Sequence, residues 1–479
     1  MIRYSSISES MKFYNRNEEL NEIERVWNLC NKSMHFTVVS GRRRVGKTEL
    51  VKQFYKDKEH LYFFVGRKKV PLLLEELSSI ARSKIEKFPT LIKFDEFLEF
   101  LLNNVSKKTV IFFDEFQNFK YVDESIFSDF QKVFDRNKEK VKVHIIIAGS
   151  HVTLINKIFS DNKEPLFGRA TEKYVLKPLT FKIIYEMLED LKIKNIEEKI
   201  KWYSVFGGIP KYYVTAEEQG IKGNDILSAL KILLFRDFAP LKDEARSILI
   251  EEFGSEHPSY FSILEAIALG NSEMTTIANK SGINIKSISK YLSLLVKDFG
   301  YLSYEVPITE ERPWKSKRGR YFLSDNFFRF WFRYIYRNRS DYEIGNYDVL
   351  LNKIKKDFDS FLGRSFEEIS KQLLVELNNQ NVLAFKFEKI GRWWWRDKEI
   401  DLVALNGNKQ IAFFEAKWKS LSKRESLKII TELKEKSKFV DWSRKKEYFG
   451  LIAKKIESKD ELRELGYLAY DLEDFSVAV

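Results

Sequence analysis

The segment Gly41-Arg-Arg-Arg-Val-Gly-Lys-Thr48, entered by the apolar run His35-Phe-Thr-Val-Val39, constrains this chain more than any other. It fits GxxxxGK[ST], a loop whose backbone N–H groups wrap around the phosphates of a nucleotide. Gly41 and Gly46 permit the tight, partly positive-φ backbone, and Arg42, Arg43, Arg44 and Val45 supply the wrapping peptide units. Lys47 is placed to reach the outer phosphates, and Thr48 offers a hydroxyl to Mg²⁺. A basic surface turn would also carry such residues. The flanks argue against it: a buried strand leads in, and helix formers with apolar Leu50, Val51 and Phe54 lead out, which places the loop at a helix N-terminus. Binding of ATP or GTP is the expectation.

A second signature follows at helix-strand spacing. After strand-like Leu61 to Val65 and a helical stretch from Leu72 to Lys87, Thr109-Val-Ile-Phe-Phe113 runs into Asp114-Glu115. A buried strand ending in two carboxylates puts Asp114 in a Mg²⁺ shell and Glu115 where it orients and deprotonates water, although such an end can also cap the next helix. A further run, Val143 to Ala148, ends in Gly149-Ser150, where the Ser150 hydroxyl either senses the γ-phosphate or sits in a plain turn. Strands alternating with helices imply a mostly parallel α/β sheet, with the ligand at the carboxyl ends of its strands.

With 479 residues there is room for about three domains. The single cysteine, Cys30, cannot form an internal disulfide, and no apolar run nears 18 residues, so the expectation is a soluble, cytoplasmic chain without a membrane partner. The formal charge of +12, from 82 Lys and Arg against 70 Asp and Glu, favours polyanionic partners. Abundant Lys, Ile and Phe with scarce Met and Cys fit either a thermophile or an AT-rich genome.

From Tyr260 the pattern changes to short helices with tight turns: Tyr260 to Leu269, Met274 to Lys280, a turn at Ser281-Gly282, and Ile285 to Asp298. Ile288, Leu292, Leu295 and Val296 share one face of the third helix, leaving Lys286, Ser287, Ser289 and Lys290 outward, where a recognition helix meets base edges. Strand-like Tyr301 to Val306 and Arg320 to Leu323 flank a loop containing Arg312, Lys315, Lys317 and Arg318. Helix-turn-helix plus a charged hairpin reads as a winged helix. Between Arg312 and Arg339 nine Lys or Arg stand against one acid, Asp325, an excess that can displace counterions from DNA. A solvated basic face and a protein-docking module remain the alternatives. The aromatics from Phe327 to Tyr336 are too dense to be a stacking platform alone and read mostly as core.

From about Asp357 a further unit begins, with a helix Phe358 to Leu374, strands at Val382 to Phe387, Glu399 to Leu405 and Gln410 to Trp418, and a turn at Gly391-Arg-Trp-Trp-Trp395. Asn406-Gly407 signals a hairpin. A loop centred on Asn408 sets Asp401 across from Glu415, and period-two alternation adds Lys417 to that face. An Asp on one strand with Glu-x-Lys on the next resembles the PD-(D/E)XK nuclease arrangement: Asp401 and Glu415 would bind Mg²⁺, and Lys417 would position the nucleophile. Glu367 looks like that family's auxiliary acid, with neighbouring Glu368 an open alternative. Trp393, Trp394 and Trp395 either clamp nucleic acid by stacking or pack in the core.

The whole chain resembles the archaeal ATPase family, a STAND-like branch of the AAA-type P-loop ATPases. The resemblance rests on Phe13-Tyr-Asn-Arg16 with Glu18-Glu-Leu20, the loop 41 to 48, Phe113-Asp-Glu-Phe116, Ala148-Gly-Ser150, Leu166-Phe-Gly-Arg169 and Phe206-Gly-Gly-Ile-Pro210. It implies an adenine-side contact at Phe13 and Arg16, a cation near the phosphates at Arg169, and a lid motif at Gly207 to Pro210. It further implies a P-loop ATPase domain over 1–180, a helical lid over 181–250, a winged-helix DNA-binding domain over 251–340 and a PD-(D/E)XK nuclease-like domain over 341–479. The expected function is ATP hydrolysis controlling DNA binding and Mg²⁺-dependent cleavage. The alternative is a non-catalytic, nucleotide-switched DNA-binding or signalling regulator with an inactive nuclease-like domain.

Overall fold

The computed structural model describes residues 12–105, 107–407 and 409–478. The chain splits into two compact units: one holds residues up to Pro178 with Ile209–Lys211 and Lys297–Gly300, the other the remainder.

In the first unit, strands β1 (His35–Gly41), β2 (His60–Phe64), β3 (Thr109–Asp114), β4 (Val143–Gly149) and β5 (Glu172–Leu176) form a sheet in the order β2-β3-β4-β1-β5. Every pairing is parallel. Because side chains alternate along a strand, Phe36, Val38, Ile111, Phe113, Ile145 and Ile147 enter one core, and Val39, Val110, Phe112, Ile146 and Ala148 enter the other. Helices Val70–Arg82, Phe94–Asn104 and Ser125–Asn137 fill the first core, and Asn17–Leu29 and Lys47–Tyr55 the second. Burial on both faces explains why these strands read as continuous apolar runs. It also leaves the strand ends as the places where polar side chains gather.

In the second unit, helices His257–Ala268, Met274–Ser281 and Ile285–Lys297, the last up to Val296, precede an antiparallel ribbon of β6 (Leu302–Glu305) and β7 (Arg320–Leu323). Ile288, Leu292 and Leu295 are buried, whereas Lys286, Ser287, Ser289 and Lys290 are exposed, as the helical period requires. Phe327, Phe328, Phe330, Trp331, Phe332 and Tyr334 are buried.

The C-terminal part is β-rich. Strands β8 (Lys389–Trp395), β9 (Lys398–Asn406), β10 (Gln410–Leu421), β11 (Lys446–Ile456) and β12 (Leu468–Tyr470) form a mixed sheet in the order β12-β11-β10-β9-β8. The β10 to β11 crossover is the helix Lys423–Ser437, which starts at a capping box between Ser422 and Glu425.

Three expectations need correction here. Residues 391–395 are not a turn but most of β8, since β-prone tryptophans pair with β9 (Trp393 with Ile400, Trp395 with Lys398). No strand forms over 382–387, where Asn378 instead bonds the Phe387 backbone from both ends of its amide. The helix expected from Phe358 starts eleven residues earlier and runs unbroken as Tyr347–Asn379, with Leu350 and Ile354 extending its buried face.

Candidate functional site

The first candidate site lies at the carboxyl ends of β1, β3 and β4. Gly46 adopts φ 97° at the start of the helix Lys47–Tyr55, and a Cβ at Gly41 would lie 2.6 Å from the Leu176 carbonyl oxygen, so both positions need glycine. The Lys47 ammonium is buried and donates to the Gly41 and Arg42 carbonyls at 2.8 and 2.9 Å. Val45 is buried, while Arg42, Arg43, Arg44 and Thr48 are half-buried.

The Thr48 hydroxyl donates to Asp114 Oδ2 at 2.7 Å, which joins the loop to the end of β3. Asp114 also accepts from the Tyr62 hydroxyl at 3.3 Å and from the Glu115 N–H at 3.0 Å. Burial raises the Asp114 pKa above the ordinary carboxylate range, opposed by the Thr48 bond. A hydroxyl beside a carboxylate suits Mg²⁺, which needs only one or two protein oxygens when phosphates and water supply the rest.

Glu115 takes a left-handed φ of 54°, and its carboxylate accepts from the Ser150 hydroxyl at 3.0 Å and from the Gln117 amide. Gln117 also donates to Ser150 Oγ at 3.3 Å. Neither Tyr62 nor Gln117 stands out in the sequence. Their roles come from strand pairing and from the short 3₁₀ turn Phe116–Asn118.

Phe13 packs against the core that includes Val45 and Leu176, on the flank of the loop. Arg16 is buried, pairs with Glu19 at 3.0 Å and donates to the Lys177 carbonyl at 2.6 Å; burial lowers its pKa. Arg169 does not sit near the loop within this unit. It pairs with Asp135 through two bonds of 3.1 and 2.8 Å, and with His35 and Thr171 it lines a cavity at the amino end of β1, opposite the loop. The chain enters β5 at that end, so parallel pairing with β1 carries Arg169 there.

The second candidate site lies in the C-terminal sheet. The ladder pairs Asn406 with Gln410 and Leu402 with Phe414, so Asp401 and Glu415 come next in register; Asn408 itself lies outside the described residues. Lys417 bridges them, 2.9 Å from Asp401 Oδ2 and 2.5 Å from Glu415 Oε2. Asp401 also accepts from the Ala416 N–H at 2.9 Å, and Lys436, on the crossover helix, reaches Glu415 at 2.7 Å. Burial, then Asp401, raises the Glu415 pKa. Burial would lower that of Lys417, but Asp401 and Glu415 more than offset it, so the ammonium is held.

Glu367 does not join this pair. Arg392 and Arg364 hold its carboxylate, and among the described residues no three His, Cys, Asp or Glu side chains come together as a metal-binding group. The helix turn at Arg364 and the strand position of Arg392 bring both guanidiniums to it first. Glu368 is held off its ordinary range upward by burial. Two carboxylates still satisfy Mg²⁺ where water and a phosphodiester complete its shell. Lys436 could not have been read from spacing, because its place depends on the crossover.

Of the basic residues near the ribbon, Lys315 and Lys317 are exposed, whereas Arg318 pairs with Glu310 and lies over the Trp395 ring. Arg320 pairs with Glu399, Arg333 with Asp357, and half-buried Arg329 donates to the Ser365 hydroxyl. The nine cations are therefore not one solvated face. Trp393 and Trp394 are buried; Trp395 is 40% exposed.

Comparison with known proteins bears on the family of the chain. Residues 13–215 match a family described as an ATPase domain predominantly from Archaea, and 331–429 one described as archaeal and bacterial proteins of unknown function. An uncharacterized protein of Methanocaldococcus jannaschii is 37% identical over 468 residues, covering 97% of this chain and all of that one. The chain belongs to this archaeal ATPase family. An uncharacterized ATP-binding protein of the same organism is 47% identical over 47 residues, 10% of this chain and 76% of its own. The Walker-type ATPase of Pyrococcus abyssi shares the fold, with TM-score 0.51 and 20% identity over 68% of this chain and 99% of its own. The ATPase-family chain thus joins a parallel P-loop core to a β-rich C-terminal part. Among the described residues, no helix is long and apolar enough to cross a membrane.

Proposed function

We propose that this chain binds and hydrolyses ATP with Mg²⁺ at the loop 41–48, and that nucleotide state governs how the second unit contacts and cuts DNA. The observation that carries the first part is the 2.7 Å bond from Thr48 to Asp114, with Glu115 held by Ser150 next to it. Lys47 and the loop amides hold the phosphates, Thr48 and Asp114 hold the cation, and Glu115 orients and accepts a proton from water. Bound Mg²⁺ supplies neutralisation of charge on the transferring phosphoryl. Phe13 and Arg16 flank the adenine. Arg169, paired at the far end of β1, has no part in this site within one chain.

The exposed face of Ile285–Lys297, with Lys286, Ser287 and Lys290, reads as the recognition helix of a winged helix within 251–340, and Lys315 and Lys317 as its wing cations. Within 341–479, Asp401, Glu415 and Lys417 have the geometry of a PD-(D/E)XK site. Residues 1–180 form the ATPase domain and 181–250 the lid. A second reading keeps the nucleotide switch without cleavage, and it is favoured by the absence of Glu367 from the pair and by the clasp of Lys436 on Glu415.

Nucleotide titration and phosphate release on Lys47→Ala test the first part: about a hundredfold weaker ATP binding is expected, since several charge-assisted bonds are lost. Retained tight binding would remove the site assignment. Incubating plasmid with Mg²⁺ or Mn²⁺, with and without ATP, beside Asp401→Ala and Lys417→Ala separates the two readings. Metal-dependent nicking lost in both variants supports cleavage, and no nicking under any condition supports the switch.

A further inference from the structure

The loop between β6 and β7 is anchored to the C-terminal sheet within one compact unit. The Ile308 N–H donates to the Arg392 carbonyl at 2.9 Å, and Ile308 packs on the core of Trp393, Ile400 and Val403. Trp394 Nε1 donates to the Arg318 carbonyl at 3.0 Å, and the Arg318 and Arg320 guanidiniums lie 4.9 Å from the Trp395 and Trp394 rings. This anchoring holds out two indoles. Trp314, four residues before Arg318, is 77% exposed, and Trp395, at the β8–β9 turn, is 40% exposed. A large aromatic left in water on an anchored loop costs burial that a core would have gained.

The charges around them have one sign in excess. Arg312, Lys315, Lys317, Arg318, Arg396 and Lys398 stand against Glu310, Glu311 and Asp397 over the same two turns. Of the acids, Glu310 is taken up by Arg318 and Asp397 by Lys398. An open indole at Trp314 and a partly covered one at Trp395, with Arg318 over its ring, among surplus cations match a chain that offers both unstacked bases and phosphates. A duplex offers the phosphates but keeps its base faces covered.

We propose that the β6–β7 loop and the β8–β9 turn form one binding surface for single-stranded nucleic acid, with bases stacking on Trp314 and Trp395 and phosphates on Lys315, Lys317 and Arg396. Trp395 pairs with Lys398, three residues from Asp401, so the stacking platform lies about 10 Å along β9 from the carboxylate pair. This rests on the reading of the second unit as a nucleic-acid binder and narrows its substrate to an unpaired or locally opened strand.

Anisotropy of a fluorescent 20-nucleotide oligo-dT and of a labelled duplex of equal length, on the full-length chain, tests it. Trp314→Ala and Trp395→Ala are each expected to weaken oligo-dT binding about tenfold, with duplex affinity within twofold and the melting temperature unchanged. Trp314→Phe should recover most of the loss, because stacking needs only a π-face. Single-strand affinity within twofold of the unsubstituted chain in both alanine variants overturns the proposal. Lys286→Ala with Lys290→Ala tests the broader reading separately: it should weaken duplex binding and spare oligo-dT. If neither probe binds the unsubstituted chain, both readings fall. If only oligo-dT binds and Trp314 is needed, the recognition-helix reading falls and this one stands.

Discussion

Asp114 and the pair of half-buried Asp401 and buried Glu415 are acids at strand positions, yet the protein satisfies them in different ways. Asp114 is bonded by neutral groups: the Thr48 and Tyr62 hydroxyls and the Glu115 N–H. Asp401 and Glu415 are bonded by ammonium groups, Lys417 on both and Lys436 on Glu415. A divalent cation arriving at Asp114 therefore adds charge compensation to a network built from dipoles. One arriving at Asp401 and Glu415 must share with, or turn aside, a lysine already in place. Identical chemical types, carboxylate plus hard cation, carry different electrostatic costs because of what the fold set beside them.

The largest effect should separate the sites by turnover. Glu115→Gln removes the proton acceptor but keeps the shape and the Ser150 contact, so ATP turnover should fall about 10²- to 10⁴-fold, with ATP affinity within a few-fold. Isothermal titration beside a phosphate-release assay gives both numbers. Turnover that survives would mean that the water is activated elsewhere, and the first site would no longer differ from the second in having a defined base.

Next comes stability without metal. Lys417→Met leaves buried Glu415 facing half-buried Asp401 with Lys436 as the remaining cation; discounting for the 39% exposure of the Lys417 side chain, a loss of about 2 kcal/mol is expected. Asp114→Asn disturbs a network of neutral donors and should cost about 1 kcal/mol. Urea unfolding of each variant measures the difference, and Mn²⁺ should stabilise Lys417→Met more than the unsubstituted chain. Equal losses, or no added response to Mn²⁺, would show that the two acid sites are electrostatically alike.

The same contrast explains what was legible in the sequence. The loop 41–48 could be read because its chemistry is local: eight consecutive residues set the backbone, the lysine and the hydroxyl. Asp114 could be read because a parallel strand buried on both faces ends abruptly in acids. The Asp401, Glu415 and Lys417 set was legible at one remove, through hairpin register and period-two alternation. What failed depended on partners distant in sequence. Arg169 found Asp135 on the helix Ser125–Asn137, and Glu367 found Arg392, which is 25 residues away on β8. The turn expected at 391–395 is instead strand, because β-prone tryptophans pair with β9. Helix and strand periods tell which way a side chain points; they do not tell which charge is already waiting there.

The smallest effect, and the one that isolates the contrast, is in the pH dependence of stability. Asp114 has a folded pKa raised above its ordinary 3.8, so between those two values the folded state holds the proton that the unfolded state has lost. Stability from this group is therefore greatest at low pH and declines as pH rises through that window; Asp114→Asn should reduce the acid slope by this group's share and leave that of Glu415 and Glu368. Lys417 has a folded pKa raised above its ordinary 10.5, so its contribution is complete below 10.5 and is lost as pH climbs through the raised value. Lys417→Met should shrink the alkaline slope, and because it takes away a cation that holds the Glu415 pKa down, it should deepen the acid one. Melts of both variants and the unsubstituted chain across the acid and alkaline ranges measure this directly. If Asp114→Asn leaves the acid slope unchanged, burial does not hold a proton on Asp114 against its neutral donors, and the distinction between a site built from dipoles and one built from ammonium groups fails at its first member.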